Sequence, residues 1–214
     1  LYRETIQGKI TISVLALIIL PLALLGIIAS ILNNHSTNST LSHNMAATAK
    51  VASERVEWEM TSYRNLAEDL GVTARIARED VTLEEKQRII DERVEANDLI
   101  RGNILDKNGI SIFTGEDYSD REYFKTAMGG QSCVSEPIVS KTTGSMTTII
   151  AAPIWEGGIS GTQVIGVVYL VPEETFLNDI MKSTSVSEHG YAYMIDKEGA
   201  VIAHENMELV EKRD

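Results

Sequence analysis

The chain has 214 residues, 43% of them apolar and 23% charged, an ordinary globular composition that excludes wholesale disorder. A net charge of −12 argues against nucleic-acid binding, which needs Lys and Arg to neutralise phosphates. The single cysteine, Cys133, excludes an internal disulfide framework.

The first nine residues carry Arg3, Glu4 and Lys9, a net +1 against −12 overall, so the remainder carries −13. The sequence opens on Leu1 and is expected to be part of a longer one. Ile10 to Leu32 holds no charged residue. At about 1.5 Å per residue this stretch makes a helix of roughly 35 Å, enough to cross a hydrocarbon core of about 30 Å. Pro21 and Gly26 lie inside it, and membrane helices tolerate both better than soluble ones do. A signal peptide has an apolar stretch of about 7–15 residues and a small-residue cleavage site. Ala29-Ser30-Ile31-Leu32 fits that pattern poorly, so 10–32 is read as a retained transmembrane helix. Arg3 and Lys9 precede it, and Lys50 is the next basic residue. The positive-inside rule then places residues 1–9 in the cytoplasm and residues 33–214 outside, on a protein of the cell membrane.

From Leu41 to Ile76 apolar residues step by three or four, among them Met45, Ala49, Ala52, Val56, Met60, Tyr63, Ala67 and Leu70. That spacing predicts a long amphipathic helix with one face to bury. Thr82-Leu83-Glu84-Glu85 is a capping box, with the Thr82 hydroxyl and the Glu85 carboxylate both expected on free backbone N–H groups. Leu99 to Phe113 reads as a hairpin turning at Asp106-Lys107-Asn108-Gly109. Asp120 to Met128 reads as a short helix closed by Gly129-Gly130. Met146–Trp155 and Gln163–Leu170 read as strands joined by the loop Glu156–Gly161. Pro172 ends the second, and Glu173–Met181 restarts a helix. The fold class is therefore α+β, an antiparallel sheet with helices packed on it.

Ile104-Leu105-Asp106-Lys107-Asn108-Gly109-Ile110 is echoed by Met194-Ile195-Asp196-Lys197-Glu198-Gly199-Ala200, an offset of 90 residues. In both, Gly supplies the positive φ of a tight turn. The second copy is read as the opening hairpin of a second module, and the residues after it are too few to bury a core alone.

A span, a long helix and two sheet modules in tandem resemble the double Cache sensor of methyl-accepting chemotaxis proteins. The local matches are Tyr118-Ser119-Asp120-Arg121-Glu122-Tyr123-Phe124, Ser135-Glu136-Pro137, Ser140-Lys141-Thr142-Thr143-Gly144, Ala151-Ala152-Pro153-Ile154, and Gly190-Tyr191-Ala192-Tyr193-Met194-Ile195-Asp196 with His204. The resemblance implies PAS-like antiparallel-sheet modules: a long helix plus a complete membrane-distal module over 33–183, and an incomplete membrane-proximal module over 184–214. It implies control of a cytoplasmic kinase through an adaptor by way of a C-terminal part beyond Asp214, and the apolar stripe of the long helix suits packing against a second copy, so a homodimer is expected.

Arg121 is the first candidate for ligand contact, because a guanidinium holds a carboxylate through two charge-assisted hydrogen bonds. Tyr123 and Phe124 can supply an aromatic wall. In the alternative, Arg121 pairs with an acid such as Asp117, and the two aromatics are core. Amino-acid-binding members of the family add a Tyr and two Asp at positions that are Ile138, Ser140 and Val171 here. None of these is a carboxylate to hold an ammonium, so a small carboxylate or another compact polar metabolite stands as a candidate ligand beside an amino acid. Thr148 and Tyr169 lie on strands that can face the pocket.

No nucleophile elbow, P-loop or dinucleotide fingerprint appears, and the spacings of His35, His43, His189 and His204 suit no ordinary zinc site. No cofactor, metal or enzymatic activity is expected. The same extracytoplasmic architecture serves histidine kinases and diguanylate cyclases, and sequence beyond Asp214 separates those from a chemoreceptor. A membrane-tethered binding protein without output is a third reading.

Overall fold

The computed structural model describes residues 6–144, 146–173, 176–184, 190–204 and 206–212. The chain divides into two units, Leu1–Lys50 and Val51–Asp214. Helix α1 spans Ile6–Gly71 and contributes to both.

In the first unit the stretch that lacks charge is helical, with Pro21 inside it. Its large apolar side chains, Val14 to Leu32, stand about half or more exposed all round the helix. Fully burying one such side chain is worth about 1.5–3 kcal/mol, so this surface is strongly driven out of water. With a window of mean hydropathy 2.9, it is long and apolar enough to cross a membrane. The polar residues Asn34 to Thr40, which the apolar pattern leaves unassigned, are helical as well.

The second unit begins with the rest of α1, which buries Ala52, Ala67 and Leu70. The helix ends at Gly71 rather than Ile76. A Cβ on Gly71 would lie 2.1 Å from the Pro153 carbonyl oxygen, so the close approach of the sheet requires glycine at this end. Thr73, with extended backbone, then starts the short helix α2, Ala74–Ala77, which still buries Ile76. Helix α3 spans Leu83–Ala96, and the Thr82 hydroxyl accepts from the Glu85 N–H at 3.3 Å. Only this half of the predicted capping box forms. The Glu85 carboxylate is taken by Arg75 at 2.8 Å and Arg88 at 2.7 Å.

Strand β1, Leu99–Asp106, opens the sheet. Helix α4, Glu122–Met128, follows, two residues shorter at its start than predicted. Then come β2 (Cys133–Val134), β3 (Ile138–Val139), β4 (Met146–Thr147), β5 (Ile150–Trp155) and β6 (Val164–Pro172). The main sheet has the antiparallel order β1-β6-β5-β2, and β3 with β4 forms a separate two-stranded sheet. The predicted strand Met146–Trp155 is therefore two strands in different sheets. Between them, Ile149 exchanges its backbone groups with Ser135, through the Ser135 N–H at 2.8 Å and the Ser135 hydroxyl at 2.9 Å.

Alternate residues of β6 serve two cores. Val168 and Leu170 pack with Leu70, Ile76, Ile90 and Ile104 under α1, α2 and α3. Val167, Tyr169 and Val171 pack with Tyr118, Tyr123 and Phe124 under α4. A sheet covered on both faces explains why its central strands read as continuous apolar runs rather than as alternation.

Helix α5 spans Phe176–Ser183; residues 174 and 175, part of the predicted helix, lie outside the described residues. Strands β7 (Met194–Ile195) and β8 (Val201–Ala203) form the second hairpin, followed by α6, Met207–Lys212. Ala203 joins Ala52, Leu177, Ile180 and Met181 in a small third core, so α1 and α5 supply the apolar partners of this hairpin.

The repeated turn has the same backbone hydrogen bonds to its Asp in both copies. Asp106 Oδ1 accepts from the N–H groups of Asn108 and Ile110 at 2.8 and 2.9 Å. Asp196 Oδ1 accepts from those of Glu198 and Ala200, both at 2.9 Å. Gly109 and Gly199 hold φ of 85° and 89°. The return limb after Gly109 meets β1 through the Asp106–Ile110 bond, a bridge at Ser111 and the Ile112–Ile104 bond, while β6 is the main partner of β1.

Candidate ligand-binding site

The face of the sheet under α4 carries a cavity in two parts. An outer cleft of about 490 Å³ is lined by residues of α4, β2 and the approach to β3. Behind it lies an inner void of about 10 Å³, the room one water needs. Arg121, Tyr123 and Ile138 line both and form the layer between them.

Arg121 is the N-cap of α4. The turn before it is built by Asp117, whose Oδ1 accepts from the Ser119 N–H at 2.8 Å, a bond that holds the Asp117 carboxyl below its ordinary range. Asp117 is thus occupied, and Arg121 Nη2 instead donates to the Val139 carbonyl at 3.3 Å. Lys141 secures the neighbouring segment. Its Nζ donates to the Asp117 carbonyl at 2.8 Å, pairs with Asp120 at 2.6 Å and sits 5.6 Å from the centre of the Tyr118 ring. The hydrogen bond from Lys141 depresses the Asp120 carboxyl.

The wall is aromatic. Tyr169 lies 5.8 Å from Tyr118 and 5.7 Å from Tyr123, ring centre to ring centre. Burial raises the phenols of Tyr123 and Tyr169 above their usual range, so both stay neutral. Asn103 Nδ2 donates to the Tyr169 hydroxyl at 3.2 Å, while Asn103 Oδ1 accepts from Ser111 Oγ at 2.9 Å and the Ile104 N–H at 2.7 Å.

Of the residues singled out in the sequence, the structure brings Arg121, Tyr123, Ile138, Ser140 and Tyr169 around this cavity. Phe124 is buried in the adjacent core and Val171 lies in the same core; neither lines the cavity. Thr148 is buried too, but Thr147 and Ile149 line the void in its place. Arg101, on β1, is a lining residue that sequence reasoning missed. Its Nη2 donates to the Ser140 hydroxyl at 3.0 Å. The available signal was a lone cation inside the otherwise uncharged run Leu99–Leu105.

The acids at the outer cleft are matched by lysines. Asp120 meets Lys141 at 2.6 Å, Glu122 meets Lys125 at 2.6 Å, and Glu136 meets Lys197 at 3.0 Å. Neither Arg101 nor Arg121 has an ion-pair partner among the described residues. Cys133 also lines the cleft, its thiol pushed up by burial and directed at the Tyr123 carbonyl at 3.7 Å. His204 lies elsewhere, its Nδ1 accepting from the Asn206 N–H at 2.8 Å. The arrangement sets guanidinium groups free of ion pairs among the described residues beside neutral phenols, a set that can hold a small anion.

The family model described as Cache domain matches residues 33–214. The methyl-accepting chemotaxis protein McpB of Bacillus subtilis (strain 168) is 32% identical over 100 residues, which is 46% of this chain and only 14% of that protein. Among solved structures, the ligand-binding domain of the Campylobacter jejuni chemoreceptor Tlp3 in complex with 4-methylisoleucine is similar with a TM-score of 0.65 at 14% identity, over 81% of this chain and 72% of that one. The ligand-binding domain of the Pseudomonas aeruginosa amino acid chemoreceptor PctC in complex with GABA gives 0.60 at 20% identity, over 83% and 80%. At these identities the two structures speak for the fold.

Proposed function

The chain belongs to the Cache domain family, and from that premise we propose that it is the extracytoplasmic small-molecule sensing region of a bacterial chemoreceptor. The observation that carries the reading is Arg121, a guanidinium fixed at a helix N-cap, free of any carboxylate among the described residues, and facing a cleft of about 490 Å³ beside Tyr123. A charge-assisted hydrogen bond of this kind is worth roughly 1.5–3 kcal/mol net. The ligand is a compact metabolite that carries a carboxylate, held by Arg121 with Tyr123, Ile138, Ser140 and Tyr169. The amino acids and GABA in the related structures are ligands of the same general size.

In this reading residues 10–32 cross the cell membrane, residues 1–9 are cytoplasmic, and 33–183 and 184–214 make up the distal and proximal modules outside. The receptor works as a homodimer, and a cytoplasmic kinase reads its state. A ligand shifts such a receptor between two states only by its difference in affinity for them.

The test is a thermal-shift screen of carboxylate metabolites on the chain in lipid nanodiscs. One or more should raise the melting temperature, and Arg121→Ala should remove that rise. A rise that survives Arg121→Ala removes the site from this cavity.

A further inference from the structure

Resting on the reading of this cavity as the ligand site, we infer that it selects a short aliphatic dicarboxylate, with Arg101 as a second anion clamp opposite Arg121. Two buried polar atoms have no hydrogen-bond partner among the described residues, Arg101 Nε and Thr147 Oγ1, and both residues line the inner void. Thr147 is only 5% exposed. Buried polar groups are almost always paired, and leaving one bare is costly, so two in one void mark a place for an acceptor from outside the chain.

The charges narrow the class. The inner void is lined by Arg101, Arg121 and Lys141 and by no carboxylate among the described residues. Lys141 is committed to Asp120 and to the Asp117 carbonyl, which leaves two guanidiniums. An arginine is always charged, and its fork matches a carboxylate through two bonds. Each guanidinium keeps N–H donors beyond the one given to Ser140 or to Val139, so the pair can hold two carboxylates, one on each arginine. A zwitterion would bring an ammonium to a void that offers it no anion. Tyr118, Tyr169 and Ile149 supply apolar walls, which suit a carbon skeleton better than an inorganic dianion. The void holds only about 10 Å³, so the carbon skeleton lies in the outer cleft, whose acids are already matched by lysines, and one carboxylate end reaches past Arg121, Tyr123 and Ile138 toward Arg101.

The experiment measures thermal shift and calorimetric affinity on the full chain in nanodiscs with succinate, acetate, inorganic phosphate and L-alanine. Succinate should bind most tightly. Arg101→Gln should weaken succinate about tenfold or more, the worth of one lost charge-assisted pair, and weaken acetate far less. Arg121→Gln should remove both responses. Arg101→Lys, which keeps the charge and loses the fork, should fall between, and Thr147→Val should weaken succinate if Arg101→Gln fails to fold. No succinate binding, or succinate binding indifferent to Arg101→Gln, overturns the inference and leaves a buried water as the partner of the two bare atoms. Phosphate equal to succinate overturns the choice of a carbon skeleton. L-Alanine bound in preference, yet still lost in Arg121→Gln, overturns only the dicarboxylate assignment. Any response that survives Arg121→Gln overturns the cavity as ligand site.

Discussion

Lys197 Nζ stands 3.0 Å from Glu136 Oε1, so the tip of the second hairpin holds the segment that leads into β3 and lines the outer cleft. The hydrogen bond it donates to Glu136 raises the Lys197 ammonium above its ordinary range. Both side chains are more than half exposed, and exposed pairs add little to stability. We expect Glu136→Gln to leave the melting temperature nearly unchanged and to speed amide hydrogen exchange at Ile138 and Val139. The swapped double variant, Glu136→Lys with Lys197→Glu, should restore slow exchange. If exchange at β3 ignores both variants, the pair does not couple the two hairpins.

Asp120 gives a dependence on acidity. Its carboxyl titrates lower in the folded protein than in the unfolded chain, because Lys141 hydrogen-bonds it. A depressed folded value contributes stability above the unfolded value of about 3.9, and that stability is lost as pH falls through the folded one. Wild type should therefore melt above Asp120→Asn near neutral pH, and the gap should close as pH drops below about 4. A gap that stays constant across that window would show that Lys141 is held by the Asp117 carbonyl alone.

The two glycines of the repeated turn should not be equivalent. Both sit at positive φ, where an L residue costs about 1–2 kcal/mol. A Cβ at Gly109 would also lie 2.6 Å from Ser119 Cα and 2.8 Å from its backbone nitrogen, whereas one at Gly199 meets nothing within 4 Å. Urea unfolding should show Gly109→Ala losing clearly more stability than Gly199→Ala. Equal losses would mean the segment at Ser119 yields freely.

Cys133 reports on the cleft. Burial raises its thiol, so alkylation by iodoacetamide should be slow at neutral pH and still climbing beyond the free-thiol value of about 8.5. An occupant of the outer cleft should slow it further, because Cys133 lines that space. A rate that levels off at the free-thiol value would contradict the buried setting.

Much of this molecule is written locally. The stretch Ile10–Leu32 declares itself by an unbroken absence of charge, and the two turns by an Asp and a Gly at fixed spacing. Features that depend on distant partners were not legible. Gly71 stops α1 because Pro153 lies against it, and nothing near Gly71 in sequence says so. The break between β4 and β5 follows from Ser135 capturing Ile149, which set the facing phase so that Thr147 rather than Thr148 lines the void. In the cavity, Arg121 stood out beside two aromatics, whereas Arg101 hid in a strand whose partner, β6, lies more than 60 residues on.

One carboxylate and the backbone are enough to shape each Asp turn. The second and third turn positions, Lys107 and Asn108 in one copy and Lys197 and Glu198 in the other, contribute no side chain that the bend requires. They act as interchangeable fittings on a fixed bracket. Exchanging them rewires what a hairpin tip touches without refolding it, and Lys197 shows the outcome, a duplicated bend fitted with a contact to its neighbour.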